Sequence, residues 1–186
     1  MRFIKSLVFG LLAASGALCI ELILSNAYYV VSSKDIAVDY FIGMTIFLLI
    51  VVLVEEISKY ILLVKLYSAL GSQPPKISMA LVFGAGFSLV EILFFLSQTF
   101  PSHDDLLGFR LLGTPLLHIA TAGIIGTLLL KKNIPAIKII GLAFALHLAY
   151  NLSVIYGLGY VAIYSELAFS FLLLAAFNRK SIRTKV

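Results

Sequence analysis

Eight ionisable side chains interrupt the apolar runs of this sequence: Glu21, Glu55, Glu56, Lys59, Glu91, His118, His147 and Glu166, with Asn151 as a strongly polar companion. Each costs several kcal/mol at bilayer depth, so an intramembrane charge is a functional candidate by default. Carboxylates, imidazoles and a carboxamide together can take a proton from water, return it to a leaving group and donate hydrogen bonds to an oxygen gaining negative charge. The same set could also hold a metal ion.

Spacing groups these residues. In Val54-Glu55-Glu56-Ile57-Ser58-Lys59, Glu55 stands four residues and Glu56 three residues before Lys59, so the lysine can reach either carboxylate. One buried negative charge is then balanced, and the second glutamate is left to be protonated or to meet another positive partner. Gly84 and Ser88 lie on the same helical side as Glu91, a small-residue groove where another helix can approach closely. His147 and Asn151 stand at i and i+4, which turns imidazole and carboxamide toward one space and suits polarising a carbonyl. His118 stands alone in its run; such a residue is ordinarily a satisfied core histidine. Cys19, the single cysteine, excludes an intramolecular disulfide and is expected to pack inside its apolar run.

The elements that carry these residues follow from composition. With 61% hydrophobic and 12% charged residues over 186 positions, a soluble globule cannot hide the apolar surface, so the solvent for most of the chain is lipid. Six continuously apolar stretches each reach the roughly 20 helical residues that cross a bilayer core: 7–31, 40–66, 77–100, 111–130, 134–156 and 158–177. A barrel would need short alternating strands instead. The expected fold is all-α, a polytopic helical bundle of about six transmembrane helices, forming a single domain over 1–186 with its motif-bearing core at about 40–156. The breakers are Ser32-Ser33-Lys34-Asp35, Gly71-Ser72-Gln73-Pro74-Pro75, Pro101-Ser102-His103-Asp104-Asp105 and Asn133-Ile134-Pro135.

Of 14 Lys and Arg, a cytoplasmic N-terminus puts 11 on the inner side and leaves only Lys34 and Arg110 outside, with Lys59 within a span. The positive-inside rule therefore gives two cytoplasmic termini and an external Asp104-Asp105 loop. At 1.5 Å per residue from the nearest basic marker, Glu55 lies at about 15 Å, Glu91 at about 22 Å and His118 at about 20 Å, one shared layer. Glu21 and Glu166 pass the same test at about 24 and 20 Å, so depth does not separate them from the rest.

Glu55-Glu56-x-x-Lys59, Phe87-x-x-x-Glu91, an isolated His118 and His147-x-x-x-Asn151, in this order and each on its own span, resemble the PrsW-type intramembrane proteases. These belong to the wider superfamily of CAAX prenyl proteases and bacteriocin-processing proteins. The likeness covers about 97 residues, roughly half the chain. It implies peptide-bond hydrolysis in the membrane with Glu55 activating water, Glu56 supporting it, Lys59 holding both, and His147 with Asn151 forming the oxyanion hole. Glu91 stands where the CAAX branch has a histidine, which favours the PrsW branch. Glu21 and Glu166 match no family motif.

The resemblance implies a membrane-protein substrate, single-pass by expectation, in a prokaryotic cytoplasmic membrane; the apolar composition, with Lys and Arg in short clusters between the runs, speaks against a nucleic-acid partner. A metal-free glutamic mechanism is favoured because no local zinc signature such as His-Glu-x-x-His occurs. The alternative is zinc held by Glu55, Glu91, His118 and His147. Two other classes fit the composition: a small-solute-binding transport subunit, and a noncatalytic scaffold or immunity protein of the same superfamily.

Overall fold

The computed structural model describes residues 1–32, 42–70, 76–98, 109–131 and 133–183. Within them every regular element is helical: α1 (Arg2–Ser32), α2 (Ile42–Ser68), α3 (Ile77–Gln98), a single π-helical turn (Phe109–Gly113), α4 (Thr114–Leu129), α5 (Ala136–Ile155) and α6 (Gly159–Arg183). All six expected spans are found as helices. The breakers at 33–35, 71–75 and 101–105 lie outside the described residues.

Among the described residues, five helices are long and apolar enough to cross a membrane: α1, α3, α4 with the turn before it, α5 and α6. Helix α2 has the length, at 27 residues, and is as apolar as the others on average, but it carries four charged residues, Glu55, Glu56, Lys59 and Lys65. The chain is an integral membrane protein. Its outer surface fits that solvent: Ile23, Val30, Leu93, Leu112, Ile137, Val161 and Leu172 are all exposed large apolar residues, which acyl chains tolerate and water does not. Cys19 is exposed as well, contrary to the packing role expected of it. An apolar run in lipid says nothing about which helix face points inward.

Helix α4 is the centre of the bundle, packing against α2, α3, α5 and α6, while α1 lies against α2 and α3. Its buried residues include Ala120, Thr121, Ala122, Gly123, Gly126 and Thr127. Lipid removes the hydrophobic drive between helices, so small residues that allow close backbone approach do the packing. Gly84 shows this at the α3–α4 crossing, where a Cβ would come within 2.7 Å of the His118 carbonyl oxygen and of Ile119 Cα. One turn on, the Ser88 hydroxyl reaches the Gly84 carbonyl at 2.7 Å and the Pro115 carbonyl of α4 at 3.3 Å. The groove expected beside Glu91 is therefore occupied by α4.

Local signals set the ends of α5. Asn133 takes a left-handed conformation at φ 72°, which asparagine tolerates, and Pro135 supplies the extended residue before the helix starts. At the other end Gly157 has φ 60°. The amide of Leu158 donates to the Ser153 carbonyl at 3.0 Å, and that of Gly157 to Val154 at 3.2 Å. This pair of bonds closes a helix with a left-handed glycine. Pro115, which has no N–H to give to the turn before it, follows the π-helical turn that opens α4.

Candidate active site

Helices α2, α3, α4 and α5 bring their polar residues to one place, in two layers. The deep layer is fully buried and comprises Glu56, Lys59, His118, Thr121 and His147. Lys59 chooses between its two candidate carboxylates: its ammonium donates to Glu56 Oε1 at 2.5 Å and to Thr121 Oγ1 of α4 at 3.3 Å. The three-residue step turns Glu56 to the same inner face as the lysine. Lys59 also sits 4.6 Å from the ring centroid of Phe87, whose own ring is 4.8 Å from that of His118. Phe87 thus gives the buried ammonium a cation–π partner.

Glu56 Oε1 accepts a second bond, from His147 Nδ1 at 2.7 Å. A carboxylate paired with an ammonium can only accept, so His147 Nδ1 carries the hydrogen of this bond. His118 faces His147 edge-on with ring centroids 5.0 Å apart. Its Nε2 contacts Glu91 Oε2, and its Nδ1 is buried without a hydrogen-bond partner. Far from being a satisfied core histidine, it is held on one side only.

The second layer is a cavity of about 270 Å³ whose polar lining is Glu21, Glu55, Glu91 and Asn151, among apolar walls that include Phe87, Phe94 and Phe95. Glu55 joins the layers. Its Oε2 lies 3.9 Å from His118 Nε2 and 3.7 Å from His147 Nδ1, without a hydrogen-bond partner, although the residue is about nine-tenths buried. A carboxylate oxygen so placed is costly unless something is meant to meet it. Asn151 faces the cavity one turn from His147, which bonds inward to Glu56.

Every residue singled out from sequence for the site falls in these two layers. Two participants were not legible there. Thr121 joins Lys59 to α4, and Glu21 of α1 lines the cavity beside Glu55 and Glu91 despite matching no motif. Its depth was the one signal available. Glu166 lies apart, accepting a 2.6 Å hydrogen bond from the Ser153 hydroxyl between α5 and α6.

A family model described as the PrsW family of intramembrane metalloproteases matches residues 2–177, nearly the whole chain. The chain belongs to that family. No curated protein and no solved structure matches it. Because PrsW proteins are described as metalloproteases, the donor set must be tested against a metal. Glu55, His118 and His147 each offer one ligand atom, all within 4.8 Å of one another and all from buried residues. Glu55 Oε2 has no hydrogen-bond partner, and the ring nitrogens 3.9 and 3.7 Å from it, His118 Nε2 and His147 Nδ1, also meet Glu91 and Glu56. Two imidazoles and a carboxylate, with outer carboxylates fixing the rings, fit zinc. Of the four ligands expected from sequence, Glu91 is the one outside this triad, touching it through His118.

Proposed function

We propose that the protein hydrolyses peptide bonds in membrane-embedded or juxtamembrane segments of other membrane proteins, single-pass proteins foremost, at the junction of Glu55 with the cavity. The observation that carries this is Glu55 itself: a nearly buried carboxylate with an unpartnered oxygen, beside two histidines and open to a polar-lined space. Hydrolysis within lipid needs a local water, a group to take its proton and donors for the oxyanion. The cavity is the place for the water, and the Asn151 carboxamide is the donor at its wall.

Among the two mechanisms open to this set, the metal-assisted one is favoured by the three donors within 4.8 Å and by the family's description. Glu55, His118 and His147 would hold the ion. Zinc bound there would supply a Lewis acid that makes water nucleophilic at neutral pH. Glu91, in contact with His118 and lining the cavity, is then the carboxylate free to carry the proton from water to the leaving amine. In the metal-free glutamic mechanism an ionised Glu55 takes a proton from water while a protonated Glu91 gives its own proton to the leaving amine, and passage of the proton from Glu55 to Glu91 restores both groups. Glu56 and Lys59 have the same task in both, fixing His147 while cancelling each other's charge.

The deciding experiment is cleavage of single-pass membrane proteins by the purified protein in liposomes, with wild type and Glu55→Gln each assayed with and without a strong chelator. Loss of cleavage in Glu55→Gln is expected in either mechanism. Chelator inhibition reversed by zinc identifies the metal-assisted one, and unchanged cleavage by Glu55→Gln would overturn the assignment of the site.

A further inference from the structure

A second cavity, of about 210 Å³, adjoins the first. Its own walls are Leu48 of α2, Ile92 of α3, Thr114 of α4, and Tyr150, Val154 and Ile155 of α5. Three residues line both cavities: Glu91, Phe95 and Asn151. The boundary between the two spaces is therefore made of the carboxylate and the carboxamide already placed at the reaction.

The cavities differ in chemistry. The first presents Glu21, Glu55, Glu91 and Asn151, whereas the second, away from the shared boundary, is walled by Leu48, Ile92, Val154 and Ile155 together with the hydroxyl-bearing Thr114 and Tyr150. An apolar cavity of roughly 150 Å³ accommodates a benzene ring. The second cavity is large enough for one branched aliphatic or aromatic side chain and too small for a helix, whose diameter with side chains is about 10–12 Å.

Resting on the peptidase reading of the site, we infer that the second cavity is a side-chain subsite, which takes one large apolar residue of the substrate next to the bond that is cut. An extended segment crossing the Glu91–Asn151 boundary puts its peptide group beside the Asn151 carboxamide and drops the neighbouring side chain between Leu48, Ile92 and Val154. The segment must be unwound there, because a helix would keep its carbonyl bonded within itself. Selection at this position is thus by volume rather than charge.

Leu48 is the residue to change, since it lines only the second cavity and belongs to neither polar layer. A substrate cut by the wild type is prepared with Ala, Leu or Phe at each position flanking the cleaved bond, and kcat/KM is compared in liposomes. Wild type should prefer Leu or Phe over Ala at one flanking position by about 10-fold or more, the discrimination a hydrophobic pocket gives. Leu48→Trp, which fills the space, should move the preference to Ala, and Leu48→Ala should move it to Phe. Equal loss on all three substrates in both variants, or a wild type indifferent to size on both sides of the bond, would overturn the subsite. If Leu48→Trp does not fold, the shift toward Phe in Leu48→Ala decides alone. Absence of any cleavage by wild type would instead overturn the peptidase reading, and the subsite with it.

Discussion

His147 of α5 donates a 2.7 Å hydrogen bond to Glu56 of α2 across 91 residues of sequence, with both side chains shut off from solvent. The same carboxylate oxygen takes the Lys59 ammonium at 2.5 Å. Three helices' worth of positioning therefore converges on one atom, since Lys59 also reaches Thr121 of α4. Glu56 reads as the hub that aims His147, and Glu55 next to it as the group that meets the reaction.

That arrangement makes an energetic prediction. Removing one partner of a buried ion pair strands the other charge, at a cost of about 3–5 kcal/mol. Lys59→Met and Glu56→Gln should each destabilise the fold on that scale, and the double variant should lose less than the sum by about 1–3 kcal/mol, as coupled neighbours do. Unfolding in detergent measured as a double-mutant cycle checks this. Strict additivity would mean that the pair is not coupled.

In the proposed metal-assisted mechanism, metal content separates Asn151 from the donor triad. His118→Ala and His147→Ala each remove a member of the donor triad and should lower bound zinc in the purified protein, read by elemental analysis, by more than 10-fold, the effect of losing a ligand or its support. Asn151→Ala leaves the triad intact, so zinc should stay while turnover falls about 10²-fold with the loss of an oxyanion donor. Zinc loss in Asn151→Ala would place the carboxamide among the ligands instead.

Much of this was legible in sequence, for a physical reason. Lipid leaves the backbone no partner but itself, so apolar length translates almost directly into helices. Glu55-Glu56-x-x-Lys59 and His147-x-x-x-Asn151 mark the polar faces, although His147 turns to Glu56 while Asn151 lines the cavity rather than both sharing one space. Sequence left open which glutamate Lys59 takes, because steps of three and four are both within reach. Three metal-capable donors drawn from α2, α4 and α5 write no local signature, so the absence of His-Glu-x-x-His does not bear on them. Glu21 and Thr121 depend on which helices become neighbours, and the inward or outward face of α1, misjudged at Cys19, depends on the same packing.

Gly84 tests that packing. A Cβ there would meet α4 backbone at 2.7 Å, which a rigid helix cannot yield. Gly84→Ala should separate α3 from α4, weaken the Glu91–His118 contact, and lower both stability and activity by amounts readable in a melting curve and a cleavage assay. Ser88→Ala, which gives up only hydroxyl bonds to carbonyls, should cost about 1 kcal/mol. If the two substitutions were equally mild, close approach at Gly84 would not be what sets the spacing.

From the Lys and Arg bias we propose that both termini and the segment holding Ser72 are cytoplasmic and that the segment holding Ser102 is external. Single cysteines at Ser72 and Ser102 in a Cys19→Ser background should react with impermeant reagents from opposite sides of sealed vesicles. Labelling of both from the same side would end the six-span topology.

Glu21 gives the sharpest division of roles, because it shares the cavity with Glu55, Glu91 and Asn151 yet belongs to no donor triad and no ion pair of the deep layer. A carboxylate on the cavity wall can meet a substrate segment before and during reaction alike, through its backbone N–H groups or a polar side chain. An interaction equal in ground and transition states raises KM when it is lost and leaves kcat alone. A hydrogen bond to a charged group is worth about 1.5–3 kcal/mol, so Glu21→Gln should raise KM by roughly 10-fold or more while kcat and bound zinc stay near wild type. Glu55→Gln should do the reverse, abolishing turnover with substrate binding retained. A fall in kcat at constant KM in Glu21→Gln would move Glu21 from the wall of the cavity to the reaction itself, and an unaltered KM would show that substrate passes α1 without touching it.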